Sequence, residues 1–250
     1  MHRLFVKGCR RRNGLLHQRG VLLGGGVYQA NRAVDLRDTF RLFMAGLANF
    51  VEQSYEFAAR PVIYNVCNYQ KPANGQTALI SWDDVITLFH EFGHTLHGLF
   101  ASQRYATLSG TNTPRDFVEF PSQINEHWAS HPQVFAHFAR HYQTGEPMPD
   151  ALREKMLNAT QFNKGYDMTE LLSAALLDMN WHGIHEPIED VEAFEAAALK
   201  KEGLDLPAVP PRYRSSYFAH IFGGGYAAGY YAYLWTQMLA DDGYQWFVEQ

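Results

Sequence analysis

The chain has 250 residues, an apolar fraction of 46% and a net charge of -5, values typical of a globular protein with a sizeable core. The mild negative charge gives no reason to expect nucleic acid as a partner, and no apolar run is long enough to span a membrane. Cys9 and Cys67 are too few for a disulfide framework, and neither belongs to a Cys-x-x-Cys pair, which argues against a thiolate metal site.

The first 46 residues differ in composition from the rest of the chain. No acidic residue precedes Asp35, whereas seven lysine or arginine residues do. The apolar stretch at residues 21–27 is short, interrupted by glycine and preceded by Arg19, which argues against a secretory signal. We interpret residues 1–46 as an atypical basic leader, poorly ordered or aberrant in sequence, with an organellar presequence as the alternative. We therefore expect a cytoplasmic protein.

The spacing of apolar residues predicts a mainly α-helical fold with a minor β-sheet. It predicts a helix over residues 38–55, a strand over residues 60–69, a turn at residues 71–75 and a short strand at residues 78–81. Further helices are predicted at residues 81–102, from residue 113 with a kink at Pro121, and at residues 132–143, 150–160, 166–185, 189–202 and 230–247. A linker is predicted at residues 207–211 and a glycine-rich loop at residues 222–226.

The helix predicted to begin after Ser81 carries the main chemical signal. Ser81 is a favourable N-cap, and Asp84 three residues later approximates a capping box. Apolar residues cover much of the circumference of this helix, which indicates that it is buried. The polar residues inside it, His90, Glu91 and His94, therefore need partners.

His90 and His94 are four residues apart, so they share one face of a helix and can bind a single ion. Glu91 projects beside them and is placed to act on a metal-bound water. This HExxH pattern suits zinc, because imidazole is a good zinc ligand and an open coordination position allows bound water to become a nucleophile near neutral pH. For so short a pattern, two buried structural histidines are the alternative.

The third metal ligand does not follow from this helix alone. The metzincin extension requires glycine at position 97 and histidine at position 100, whereas the chain has His97 and Phe100, so that class is excluded. Three downstream acids remain as candidates, namely Asp116, Glu119 and Glu126. One of them can bind the metal while the others orient the histidines. A solvated acidic face is the alternative.

Three segments resemble motifs of the thimet oligopeptidase (M3) family of metallopeptidases. They are FHEFGHTLH at residues 89–97, SGTN at residues 109–112 and DFVEFPSQ at residues 116–123. Variants at residues 111–112, 115–117 and 176–179 favour the branch of bacterial peptidyl-dipeptidases, also called dipeptidyl carboxypeptidases, over that of oligopeptidase A. The resemblance extends from about residue 60 to residue 250.

The resemblance implies roles for the residues of the HExxH helix. It implies that His90, His94 and Glu119 bind one zinc ion per chain, and that Glu91 is the general base. It thereby selects Glu119 over Glu126, a choice that the spacing leaves open.

The resemblance also implies a substrate-binding loop after the predicted linker. Tyr233 corresponds to the tyrosine that donates a hydrogen bond to the oxyanion. His220, like Tyr233, is expected to belong to the catalytic apparatus. The other residues expected to contact the peptide are Gly224, Gly225, Tyr226 and Tyr230. Without the resemblance, three tyrosines at helical spacing would more simply form part of the core.

The activity that the resemblance implies is the release of dipeptides from the free C-termini of short peptides. An endo-acting oligopeptidase and an inactive zinc-binding fragment are the alternatives. Family members have a second, N-terminal lobe, for which this chain has no counterpart. We therefore expect residues 47–250 to form a partial catalytic domain, a mainly α HExxH zincin lobe truncated at both ends.

Overall fold

The computed structural model describes residues 11–12, 15–16, 46–67, 69 and 77–250. Within these residues the fold is mainly helical with a minor β-structure, as predicted. In chain order the elements are β1 (Arg11–Arg12), β2 (Leu15–Leu16), β3 (Gly46–Val51), β4 (Val62–Val66), α1 (Trp82–Leu99), α2 (Arg115–Val118), α3 (Phe120–Trp128), α4 (Pro132–Phe138), α5 (Asp150–Ala159), α6 (Lys164–His182), α7 (Val191–Lys201), α8 (Ala219–Phe222) and α9 (Ala232–Glu249). Short 3-10 turns lie at Ala106–Leu108 and Ser215–Tyr217.

The prediction of a helix over residues 38–55 is wrong for the part of this segment that the structure describes. Residues 46–51 form β3, which pairs with β4 in antiparallel register, Gly46 opposite Val66. The strand predicted at residues 60–69 is confirmed as β4. A nonlocal strand partner outweighs the local helical spacing here, because β-propensity depends on packing against neighbours. The remainder of the predicted helix, residues 38–45, and the turn predicted at residues 71–75 lie outside the described residues.

Helix α1 begins as its sequence predicts. The Asp84 amide donates to Ser81 Oγ at 3.1 Å, and the Ser81 amide donates to the Asp84 carboxylate at 2.9 Å, which completes a capping box. The short strand predicted at residues 78–81 is absent, because this segment leads irregularly into the cap. The helix ends at Leu99, three residues earlier than predicted, where the Phe100 amide bonds to the Leu96 carbonyl.

Helices α1 and α3 cross in close contact at Gly93. A Cβ atom at this position would lie 2.4 Å from the Pro121 carbonyl oxygen and 2.6 Å from the Ser122 Cα. The kink predicted at Pro121 takes the form of a break at Glu119, which separates α2 from α3. Proline is tolerated in the first turn of a helix, because its missing N–H has no intrahelical partner there. Because Pro121 and Ser122 contact Gly93, the break just before them lies beside α1 and brings Glu119 there.

An apolar cluster lies in the second half of the chain. It joins α6 to α8 and to the start of α9, and its buried members are Ala174, Ala175, Phe218, Ile221 and Tyr230. Helix α9 also packs on α2 and α3. The candidate site therefore lies where α1, the break between α2 and α3, and α9 meet. Among the described residues, no helix is both long enough and apolar enough to cross a membrane.

Candidate active site

The structure brings His90, His94 and Glu119 together. The Nε2 atoms of His90 and His94 lie 3.2 and 3.1 Å from the same oxygen, Glu119 Oε2. One potential ligand atom from each residue lies within 4.8 Å of the other two. Glu119 is only 2% exposed. The three residues expected to bind metal therefore converge on one point inside the protein.

This donor set fits a divalent cation such as zinc. Two imidazole nitrogens and one carboxylate oxygen are a ligand set that catalytic zinc sites use with one position left open. Burial alone would lower the pKa of His90, but the hydrogen bonds and charges of Glu119 and Glu126 raise it to about 10. Burial alone would raise the pKa of Glu119, yet its hydrogen bonds with both histidines hold it well below its ordinary value. The surroundings thus favour positive charge at this point.

Of the two acids expected to orient the histidines, one contacts them. The Nδ1 atom of His90 lies 2.6 Å from Glu126 Oε1, so this carboxylate orients the imidazole ring through the nitrogen that faces away from Glu119. Asp116 forms no hydrogen bond or ion pair with His90 or His94. The Nδ1 atom of His94 is buried without a hydrogen-bond partner among the described residues.

Glu91 lies beside the histidines with a free carboxylate oxygen. The residue is 5% exposed, and its Oε2 atom has no hydrogen-bond partner among the described residues. Burial raises the pKa of its carboxyl group. Its backbone carbonyl accepts hydrogen bonds from Thr95 Oγ1 and Asn65 Nδ2, both at 3.1 Å, which anchor this turn of the helix. A buried carboxylate with a free oxygen is suited to accept a proton.

Two tyrosines from the segment after α8 complete the site. The Tyr226 hydroxyl donates a short hydrogen bond to Glu119 Oε1. The rings of Tyr226 and Tyr233 stack with their centroids 5.4 Å apart. Burial raises the pKa of both hydroxyl groups, so they stay protonated near neutral pH. Both can therefore serve as uncharged hydrogen-bond donors.

The other two aromatic residues expected to bind substrate differ in their surroundings. The ring of His220 lies 6.1 Å from that of Tyr226 and 6.3 Å from that of Tyr233. Burial lowers the pKa of His220, so its ring is neutral near neutral pH. Tyr230 is only 2% exposed and belongs to the apolar cluster beneath the site. The structure thus places His220 beside the tyrosine pair and Tyr230 in the core.

The two glycines expected to contact the substrate are favoured for different reasons, Gly224 by close backbone packing and Gly225 by its backbone conformation. A Cβ atom on Gly224 would lie 2.9 Å from the His220 Cα. Gly225 has a φ of +80°, a conformation that favours glycine, and a Cβ atom there would lie 2.8 Å from Arg115 Nη2. The Arg115 guanidinium in turn lies over the Tyr226 ring, 4.8 Å from its centroid.

Sequence reasoning missed several residues that hold the site together. Ser122 Oγ donates to Glu119 Oε2 at 3.0 Å, and Gln123 Nε2 donates to the Tyr233 carbonyl at 3.0 Å. These bonds tie the carboxylate to α3, and α3 to α9. Neither residue stands out in the sequence, because a serine and a glutamine in a helix are ordinary surface residues until the partner helices are known.

A further missed residue, Asp178, anchors the tyrosine segment. Its fully buried carboxylate accepts hydrogen bonds from the amides of Ala228 at 2.9 Å and Tyr230 at 2.8 Å. His182 Nδ1 lies 2.8 Å from the same carboxylate. Ala228 has a φ of +50°, a strained value for a residue with a side chain. An acid inside an apolar helical stretch was the available signal.

The chain is similar to known peptidases over most of its length. The model of peptidase family M3 matches residues 43–250. Dipeptidyl carboxypeptidase of Escherichia coli (strain K12) is 77% identical over 208 residues, which are 82% of this chain and 30% of that protein. The protein of the same name from Salmonella typhimurium is also 77% identical over 208 residues, 82% of this chain and 31% of that protein.

A more distant relative is oligopeptidase A of Salmonella typhimurium. It is 41% identical over 193 residues, which are 76% of this chain and 28% of that protein. The chain therefore spans about three tenths of the length of these curated relatives.

Proposed function

We propose that this chain, which belongs to peptidase family M3, holds the catalytic site of a zinc-dependent peptidase that acts on short peptides. One observation carries the proposal. Two histidines of one helix and a buried glutamate at the break between two others converge on a single point, beside the free carboxylate oxygen of Glu91. A structural histidine pair would not need a third ligand and an unpartnered acid at the same place.

The proposed metal ligands are His90, His94 and Glu119. When bound there, zinc would supply a Lewis acid that acidifies water and polarises a scissile carbonyl group. Glu126 accepts a hydrogen bond from His90 Nδ1, which leaves the Nε2 lone pair of that ring directed at the metal position.

The remaining residues move or donate protons. Glu91 accepts a proton from the attacking water and later delivers it to the leaving amine. Its raised pKa makes it a stronger base than an exposed glutamate, which favours this transfer near neutral pH. Tyr233 donates a hydrogen bond where negative charge develops on the carbonyl oxygen, with the neutral His220 ring beside it. Losing one such donor typically costs about 3 kcal/mol of transition-state stabilisation. The Tyr226 hydroxyl is bound to Glu119 and holds that carboxylate in place.

The mode of cleavage that we propose is the release of dipeptides from free C-termini. The relatives named dipeptidyl carboxypeptidase share far more identity with this chain than oligopeptidase A does, which supports this mode over endo-acting cleavage. An inactive zinc-binding fragment is the remaining alternative.

Product analysis of one peptide tests catalysis. The purified chain, supplied with zinc, is incubated with an N-acetylated hexapeptide with a free C-terminus, and the products are identified by mass spectrometry. We expect the C-terminal dipeptide to be released, and Glu91→Gln to slow this release by about 100-fold or more while retaining zinc. Equal hydrolysis by wild type and Glu91→Gln would contradict the proposal. Zinc binding without hydrolysis by the wild type would identify an inactive fragment.

The same peptide with an amidated C-terminus distinguishes the two enzymatic modes. A peptidyl-dipeptidase should cleave it far more slowly, because the carboxylate that it binds is missing. Internal cleavage of both peptides at similar rates would favour the endo-acting mode.

A further inference from the structure

We propose that Arg115 binds the C-terminal carboxylate of the peptide and thereby sets the preference for free C-termini. This inference rests on the peptidase function proposed above. Arg115 is the first residue of α2, and its guanidinium carbon lies 4.8 Å from the centroid of the Tyr226 ring. The hydroxyl at the far end of that ring donates to Glu119. One aromatic ring therefore separates a positive charge from the proposed metal ligands.

The charge of Arg115 has no partner among the residues that the structure describes. Its contact is with the face of Tyr226, and a cation–π contact does not require any of the five N–H donors of a guanidinium. The other arginine near the tyrosines, Arg212, lies 3.4 Å from the Glu170 carboxylate. Of these two arginines, Arg115 thus keeps its donors free for the bidentate bond that a carboxylate accepts.

The loop backbone at Gly225 lies against the guanidinium of Arg115. A Cβ atom on Gly225 would lie 2.8 Å from Arg115 Nη2, so any side chain there would displace the guanidinium. The glycine-rich loop expected to contact the substrate therefore passes directly against this arginine. A peptide that lies along the loop meets the guanidinium.

The distance suits a dipeptide leaving group. Two residues in extended conformation span about 7 Å. The guanidinium is separated from the carboxylate of Glu119 by the ring of Tyr226 and one hydrogen bond, a distance of the same order.

A binding measurement tests the inference independently of turnover. Zinc-loaded Glu91→Gln is titrated at pH 7.5 with N-acetyl tetra-alanine that carries either a free or an amidated C-terminus. We expect the free acid to bind about 10- to 100-fold more tightly than the amide, as is typical of a charged hydrogen-bonded pair. Adding Arg115→Gln should weaken binding of the free acid by that factor and leave the amide unchanged. Arg115→Lys should restore part of the preference, because it keeps the charge without the planar fork.

Arg104 offers a matched control, because its guanidinium also lies over a tyrosine ring, 5.3 Å from the centroid of Tyr105. It is already bound to Glu56, with Nε 3.0 Å from Oε2, so Arg104→Gln should leave the preference unchanged. A preference that survives Arg115→Gln would overturn the inference, as would its loss in Arg212→Gln alone. If Glu91→Gln binds neither peptide, the proposed peptidase function fails and the inference fails with it.

Discussion

His90 is held from both sides by carboxylates. Glu119 faces its Nε2 atom at 3.2 Å and Glu126 faces its Nδ1 atom at 2.6 Å. The first is a proposed metal ligand and the second orients the ring. Because the orienting bond also fixes the tautomer of the ring, its loss should weaken metal binding without removing a ligand.

We therefore expect Glu126→Gln to lower zinc affinity by about 10- to 100-fold. Competition with a fluorescent zinc chelator measures this change. Asp116→Asn is the matched control, since Asp116 forms no bond to either histidine and its substitution should leave zinc affinity unchanged. Equal effects of the two substitutions would show that net charge, and not the bond to His90, determines the affinity.

His220 should make stability depend on pH. Burial lowers the pKa of His220 in the folded state, so acid protonates the unfolded chain first. The stability that this buried neutral ring contributes is fully present above the ordinary histidine pKa of about 6.5. It is lost as the pH falls through the lower pKa that His220 has in the folded state. We expect the urea midpoint to fall less between pH 7.5 and pH 5.0 in His220→Gln than in the wild type. His137→Gln, at an exposed position, should follow the wild type.

The sequence could predict the residues of the HExxH pattern but not all of their partners. The two histidines and Glu91 are recognisable because helical geometry alone places them together. Glu119 could be identified as the third ligand only through the family resemblance, because the spacing alone left three acids as candidates. Asp178 and Arg115 act through contacts with residues 50 and more than 100 positions away, which no local pattern encodes.

At the scale of secondary structure elements, the crossing of α1 and α3 determines whether the proposed ligands meet. The contact depends on Gly93, whose missing side chain lets the Pro121 carbonyl and the Ser122 Cα approach. Widening this crossing would draw Glu119 away from the histidines on α1.

Gly93→Ala should therefore destabilise the protein by about 1–3 kcal/mol and weaken zinc binding together with it. Urea unfolding and chelator competition measure the two effects. Gly165→Ala, at the second residue of α6, is the matched control: a Cβ atom there meets nothing within 4 Å, so this change should lower neither stability nor zinc affinity. A Gly93→Ala protein with unchanged stability and zinc affinity would contradict this description of the crossing.

Whether an element could be predicted depends on whether the residues that determine it lie nearby in the sequence. Helix α1 carries its own capping box, and the break at Glu119 follows from a proline close by in sequence, so both could be predicted. Strand β3 could not, because its conformation is set by pairing with β4, more than ten residues further along the chain.

At the scale of the whole molecule, the site joins three separate parts of the fold. The histidines come from α1, Glu119 from the break before α3, and the tyrosines from the segment that Asp178 anchors to α6. A bound ion would cross-link the first two parts, so metal binding and folding should be coupled. The protein also exposes large apolar side chains, including Phe57 and Phe100 at 78% and Phe162 at 82%.

The most direct test of the central claim is the zinc content of the folded protein, measured by native mass spectrometry after dialysis against trace zinc. We predict one zinc ion per wild-type chain, one per Glu91→Gln chain, and none bound at the same zinc concentration in Glu119→Gln. A wild-type chain without zinc, or a Glu119→Gln chain that retains zinc as tightly as the wild type, would contradict the proposed metal site.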